Sequence, residues 1–262
     1  MVEPGSQAEQ VGRLLIAVVI VLTLPALPLG TYLIYPFVIL TTWFHEMGHG
    51  MAALLLGQDF ERLLIFADGS GLAESYIEAD GSRLMRAGIA AGGPLGPVIV
   101  GAALIVASAH ERAWRPALWI TAGAIFASVI VYVRSPVGYA VLPLVAAGLA
   151  LVAWRGSAAW VRFVLQFLGV LGSMSMLRDF NYLFTEDAVI GGRRQLSDTG
   201  QIEAALILPH WIWAALILLV SAVIVGASLK YALSDRRRLS PRQKLPPNVL
   251  QFRRGPTDRW RR

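Results

Sequence analysis

The sequence predicts an all-α integral membrane protein: a bundle of about seven transmembrane helices with a small membrane-surface β-hairpin between the second and third. Three observations carry this. Hydrophobic residues make up 56% of the 262 and the mean hydropathy is +0.58. Only 15% of residues are charged, against about 25% in a soluble domain, too few to clothe a water-exposed surface. Apolar stretches also recur along the chain, most of them near the roughly 20 residues that a bilayer core requires.

The first stretch, Leu14 to Leu33, is interrupted by Pro25 and Pro28 and has no small-residue cleavage site where a signal peptide would need one, so it is expected to stay as a helix. The second runs from about Ile34 to Leu56. Between Gln58 and Arg83 the chain turns polar and acidic. Asp68-Gly69-Ser70-Gly71 and Asp80-Gly81 punctuate it, with short strands expected at Arg62 to Phe66 and Leu72 to Ile77. Further apolar segments follow at about 85–108, 117–133, 138–153, 159–183 and 204–232. The loops between them are short, except for a longer polar one from Phe184 to Gln201.

The chain divides into a polytopic membrane domain, 1–233, and a basic tail, 234–262. The tail holds ten Arg or Lys against two Asp, a net +8; since the whole chain is +6, the remainder carries −2. Pro241, Pro246, Pro247 and Gly255 discourage regular structure there. Basic residues that follow an apolar helix mark the cytoplasmic side and anionic lipid. A nucleic-acid role would want interleaved aromatics or a folded basic face, so none is expected. With the tail inside, seven spans place the N-terminus and the acidic hairpin outside and the Arg155/Arg162 loop inside. The expected location is the plasma membrane of a prokaryote, multi-pass, with a cytoplasmic C-terminus. Oligomeric state is not legible.

Cysteine is absent, which excludes disulfides and thiolate metal sites. A metal would have to sit on histidine and carboxylate, and there are four histidines. Two of them fall in His45-Glu46-Met47-Gly48-His49, inside the second apolar segment. Residues four apart on a helix project from nearly the same face, so His45 and His49 can hold one metal, with Glu46 turned toward its water as a proton acceptor. With four His and nine Glu in the chain, such a string arises by chance about 0.002 times. Ionisable groups within a membrane segment are also functional candidates by default.

A catalytic zinc takes three protein ligands and leaves a fourth position for water. His110 sits in a charged loop and His210 between Pro209 and Trp211, in the manner of an interfacial belt. A carboxylate is the better third ligand. Asp179, at the end of the apolar run Val161 to Leu177, is the first choice, although it also fits an ion pair with Arg178. Asp198 is the second, because Ser197 or Asp198 also reads as the N-cap of the last helix. Asn181 could orient substrate or ligand, or be a polar residue at a helix end.

These residues resemble the site-2 protease family of intramembrane zinc metalloproteases, in particular its small B-type branch without a PDZ domain. His45-Glu46-Met47-Gly48-His49 followed by Gly50-Met51-Ala52-Ala53 is similar to that family's helix-borne His-Glu-x-Gly-His. Ala91-Gly92-Gly93-Pro94-Leu95-Gly96-Pro97 resembles its Ala-Gly-Pro-Leu stretch. The Asp179 segment and Ser197-Asp198 fall where that branch has comparable elements. The family's Asn-x-x-Pro…Asp-Gly pattern is not reproduced at Asp179, which Phe180 follows and Asn181 comes after.

The resemblance implies a Zn2+ held by two His and one Asp, a Glu general base, cleavage of peptide bonds in membrane-embedded proteins, and an edge strand that holds the substrate extended. The other reading is a non-catalytic membrane scaffold or regulator that retains the fold, with or without a metal. An intact Glu46 favours chemistry. A transporter ranks last, since it would spread polar residues along a pathway through the spans.

Overall fold

The structure is a computed structural model that describes residues 7–77 and 81–234. The basic tail, from 235 onward, and Asp80 of the expected turn lie outside the described residues. The element order is α1 (Gln7–Thr23), α2 (Gly30–Leu55), β1 (Asp59–Ile65), β2 (Gly71–Tyr76), α3 (Arg83–Ser108), α4 (Glu111–Val131), α5 (Pro136–Arg155) and α6 (Ala158–Arg178). After these come α7 (Phe180–Leu183), β3 (Asp187–Ile190), β4 (Arg193–Leu196), α8 (Asp198–Ala205) and α9 (His210–Ala232). Seven helices are long, and a hairpin stands between the second and third of them, as the sequence predicts.

Among the described residues, six helical segments are long and apolar enough to cross a membrane; α2 is not among them. This bears on the path of the chain. The side-chain amide of Gln10 donates to the carbonyl of Ala232 at 3.2 Å, buried. The N-terminal end of α1 therefore lies beside the C-terminal end of α9, at one end of the bundle. This contact runs against the expectation that the N-terminus and the tail lie on opposite sides.

Helices α2, α3 and α6 meet where their sequences are rich in glycine. A Cβ placed on Gly92 of α3 would lie 2.6 Å from the carbonyl oxygen of Gly48 on α2, and one on Gly96 would lie 2.6 Å from that of Phe44. On the other face of α3, a Cβ on Gly101 would lie 2.6 Å from the backbone nitrogen of Ser173 on α6. Hydrocarbon tails are as apolar as leucine, so close backbone packing by small residues replaces the hydrophobic drive that operates in water. The Ala91–Pro97 stretch thus brings α3 against the motif helix. Trp43 extends the packing to α4 by donating its indole N–H to Ser128 Oγ at 2.7 Å.

The first hairpin pairs Asp59 with Tyr76 through Ile65 with Gly71, with an irregularity between Phe60 and Arg62. Its turn is an Asx turn: the Ser70 hydroxyl and N–H donate to Asp68 Oδ1 at 2.7 and 2.9 Å, and together hold the Asp68 carboxyl below its ordinary value. The outer edge of β1 is covered. Leu63 N–H donates to Tyr132, Arg134 N–H to the Leu63 carbonyl, each at 2.9 Å, and Ile65 N–H to Ser135 Oγ at 2.9 Å. That removes one exposed edge and leaves the outer edge of β2 as the uncovered side of the sheet.

Two elements depart from the expected path. The 159–183 segment breaks at Asp179 into α6 and the four-residue α7. The 184–201 loop contains a second hairpin, in which Asp187 to Ile190 pair with Leu196 to Arg193. Its turn is Gly191-Gly192, both at positive φ (56° and 78°), the left-handed pair that a two-residue type I′ hairpin requires.

Candidate metal centre

The motif lies where α2 packs on α3. The imidazoles of His45 and His49 stand edge to face, with centroids 5.0 Å apart. His49 Nδ1 is 2.8 Å from the carbonyl of Ile89 on α3, so this nitrogen carries the proton and Nε2 is turned toward the centre with its lone pair available. Outer-shell bonds of this kind fix tautomer and ring direction in metal-ligating histidines. Gly93 of α3 completes the space: a Cβ there would collide with Nε2 of His49 and of His45.

The third group arrives from far along the chain. Asp198 is the first residue of α8, behind the N-cap Ser197, whose hydroxyl accepts from Gly200 N–H at 3.0 Å. Its carboxylate is only 2% exposed. Oδ2 is 2.9 Å from His45 Nε2, and Oδ1 is 3.1 Å from His49 Nε2.

Among the described residues, His45, His49 and Asp198 form a group whose ligand atoms all lie within 4.8 Å of one another. These residues fit a metal. Oδ2 of Asp198 is buried and makes no hydrogen bond despite its closeness to His45. A buried carboxylate oxygen left so is costly unless something positive meets it. Two imidazole nitrogens and one carboxylate oxygen make a donor set that suits zinc.

Asp179, the first choice from the sequence, is not in this group. It follows α6 directly and lines a cavity of about 410 Å³ beside His45, Glu46 and Tyr182. Asp198, the second choice, is the carboxylate that the fold brings to the histidines. Asn181 is exposed on α7. His110 stands before α4 with its ring 5.9 Å from that of Tyr231, and His210 Nδ1 is 2.7 Å from Glu203 Oε2. Neither joins the centre.

Glu46 is buried, 6% exposed, on the turn between the two histidines. The backbone N–H of Ala73 on β2 donates to its carboxylate. Gly71 makes room for it: a Cβ there would lie 2.6 Å from Glu46 Oε1. The consecutive residues Gly71, Leu72 and Ala73 line a second cavity of about 200 Å³ together with His49 and Asp198. Consecutive residues of one strand can line a single cavity only if the strand presents its edge to it, so the uncovered edge of β2 faces the centre. Across the opening stand Ala188, Val189 and Ile190 of β3, and the Gly191 N–H reaches Ser70 Oγ at 3.5 Å.

Sequence reasoning passed over Tyr182. Its ring lies 6.4 Å from that of His45, at 71°, and it borders both cavities. The signal was faint, a tyrosine among aromatics at the end of an apolar run.

The profile of the family described as Peptidase M50B-like matches residues 13–228 of the chain. No curated protein and no solved structure matches it. The family match spans α1 into α9 and every residue of the centre, in keeping with the resemblance read from the two motifs. The protein, a multi-pass membrane protein with an intramembrane metalloprotease-type fold, belongs to the Peptidase M50B-like family.

Proposed function

We propose that this protein is a zinc endopeptidase that hydrolyses peptide bonds in membrane-anchored protein substrates, with His45, His49 and Asp198 as the zinc ligands and Glu46 as general acid and base. The observation that carries the reading is the convergence of the three ligand atoms within 4.8 Å with a buried carboxylate on the same turn of helix. Asp198 replaces Asp179 as third ligand on the distances alone.

A zinc ion held by these three would lend Lewis acidity to a water molecule and to the peptide carbonyl. The rest falls to the chain's own residues. Glu46 takes a proton from the water as its oxygen attacks the carbonyl carbon. It returns that proton to the amide nitrogen as the C–N bond breaks, giving a new carboxyl terminus and an amine. Ala73 N–H holds the Glu46 carboxylate at this post, and Ile89 holds the His49 ring. Before any of this, a transmembrane helix must unwind, because its carbonyls are bound within the helix. Pairing to the uncovered edge of β2 satisfies the freed backbone groups. The scaffold reading finds no support in the placement of Glu46, since a binding role has no use for a base beside the histidines.

The test is incubation of zinc-loaded protein in detergent with a panel of synthetic single-span peptides, read by mass spectrometry. Chelator-sensitive cleavage within the spans is expected. No cleavage of any peptide by zinc-loaded protein would count against the reading.

We further propose that the protein resides in a prokaryotic plasma membrane with its basic tail cytoplasmic and against anionic lipid. The second hairpin precedes α9 and the tail follows it. A 23-residue helix is about 34 Å long, enough to cross a bilayer, so the two belong on opposite sides. Since the chain has no cysteine, the arrangement can be read from single labels. In intact cells an impermeant maleimide should label Arg193→Cys, and should reach a cysteine appended after Arg262 only once the membrane is opened. Labelling of both from outside would refute the orientation.

A further inference from the structure

The two cavities beside the metal centre have His45, Glu46, Gly71, Tyr182 and Ile190 in common. They therefore meet where Glu46 stands. A peptide bond presented to Glu46 would send its chain one way into the cavity of about 410 Å³ and the other way into that of about 200 Å³. A side chain that stands at this seam limits the residues that can flank the scissile bond. His45 and Glu46 belong to the centre itself. Gly71 has no side chain, and the Tyr182 hydroxyl is engaged with the Asp198 backbone N–H at 3.2 Å. Ile190 is left.

Ile190 closes β3, and its direction follows from the alternation of the strand. Val189 is 68% exposed, whereas Ala188 and Ile190 are half-buried. Successive side chains of a strand point to opposite faces, so Val189 turns outward and its two neighbours turn toward the cavities they line. Of these two, Ala188 borders only the larger cavity. The position of Ile190 is also fixed. The next residue, Gly191, donates its N–H to Ser70 Oγ at 3.5 Å, and a Cβ on Gly191 would collide with the ring of Phe66. The tip of the second hairpin is thus seated on the turn of the first, which holds β3 across the opening.

We propose that Ile190 is a specificity-determining residue: its side chain limits the size of the substrate side chain next to the scissile bond. This rests on the proteolytic reading given above and goes beyond it. Strand β3 bears none of the three metal ligands, so selection can be altered without removing one. In an apolar pocket, a single methylene changes discrimination between substrates by about tenfold or more.

The experiment offers zinc-loaded wild type, Ile190→Ala, Ile190→Val and Val189→Ala an equimolar mixture of single-span peptides. The peptides share a sequence that the wild type cleaves and carry Ala, Leu or Phe on either side of the cleaved bond. Product ratios, read by mass spectrometry, give relative kcat/KM independently of how much protein is active. Ile190→Ala is expected to raise the Phe-to-Ala ratio by at least about tenfold, and Ile190→Val by a smaller factor in the same direction. Val189→Ala, which alters the outward side chain of the same strand, should keep the wild-type ratio. Zinc content should match wild type in every variant. If Ile190→Ala does not fold, Ile190→Val decides, because it removes one methyl group and keeps the branching at Cβ. Wild-type ratios in the folded Ile190 variants would overturn the proposal and leave the protease reading standing. An equal shift in Val189→Ala would overturn it too, by making selection a property of the hairpin as a whole. A wild type that cleaves no peptide would overturn the protease reading and the proposal together.

Discussion

Asp198→Ala is expected to leave the protein without zinc, whereas Asp179→Ala should retain about one zinc per chain. The contrast follows from distance. Asp198 places one oxygen 2.9 Å and the other 3.1 Å from the two imidazole nitrogens, and Asp179 stays on the wall of the adjoining cavity. Zinc bound through three or four protein ligands is worth about 10–16 kcal/mol in small peptide sites. One anionic ligand of three is a share of several kcal/mol, and each 1.4 kcal/mol is tenfold. Affinity should therefore fall by at least about a hundredfold, enough to lose the metal during purification. His45→Ala should behave as Asp198→Ala does. Metal analysis of the variants checks this, with thermal melting to confirm that each is folded. Zinc lost with Asp179 and kept without Asp198 would reverse the assignment.

Glu46→Gln is expected to keep zinc and lose cleavage. Glutamine has nearly the same shape, and its carbonyl oxygen can accept the Ala73 N–H in place of the carboxylate. It cannot take a proton from water or deliver one to the leaving nitrogen. General acid–base catalysis contributes about 10²–10⁴-fold, and here one residue serves both halves of the reaction, so the upper part of that range is expected. The comparison is made on whichever single-span peptide the zinc-loaded wild type cleaves, at matched zinc content. Equal rates for the two proteins would remove Glu46 from the mechanism.

What the sequence disclosed, and what it withheld, divides by range along the chain. His45, Glu46 and His49 are legible because one helical turn brings them together, and the helix is announced by its own composition. The two motifs also point to their common packing, since Gly48 and the Gly92–Gly96 stretch are small where two backbones must approach. Asp198 comes to the site from about 150 residues away, and no local pattern reports such a contact. Its alternative reading, as part of a helix start, is also correct: Ser197 caps α8. A cap can orient a ligand, so one role did not exclude the other. Asp179 drew attention because it ends a long apolar run, but that position marks the break between α6 and α7.

The second hairpin was legible in principle. Gly191-Gly192 between Val189-Ile190 and Arg193-Arg194 is a two-residue turn signal, muted by the polar residues around it. The meeting of α1 with α9 was not: Gln10 and Ala232 join from 222 residues apart, and no local pattern reports such a contact. Tyr182 was hidden for a further reason: a tyrosine hydroxyl that accepts the backbone N–H of a residue 16 positions on has no spacing rule to betray it.

The central claim, a zinc site built from His45, His49 and Asp198, is tested most directly by zinc K-edge absorption on the wild-type protein in detergent. The account predicts about one zinc per chain, four-coordinate, with nitrogen and oxygen donors at about 2.0–2.2 Å and a distinct imidazole scattering signature from two histidines. Folded protein that takes up no zinc from a zinc-supplied buffer, or zinc surrounded by oxygen donors without imidazole, would contradict it.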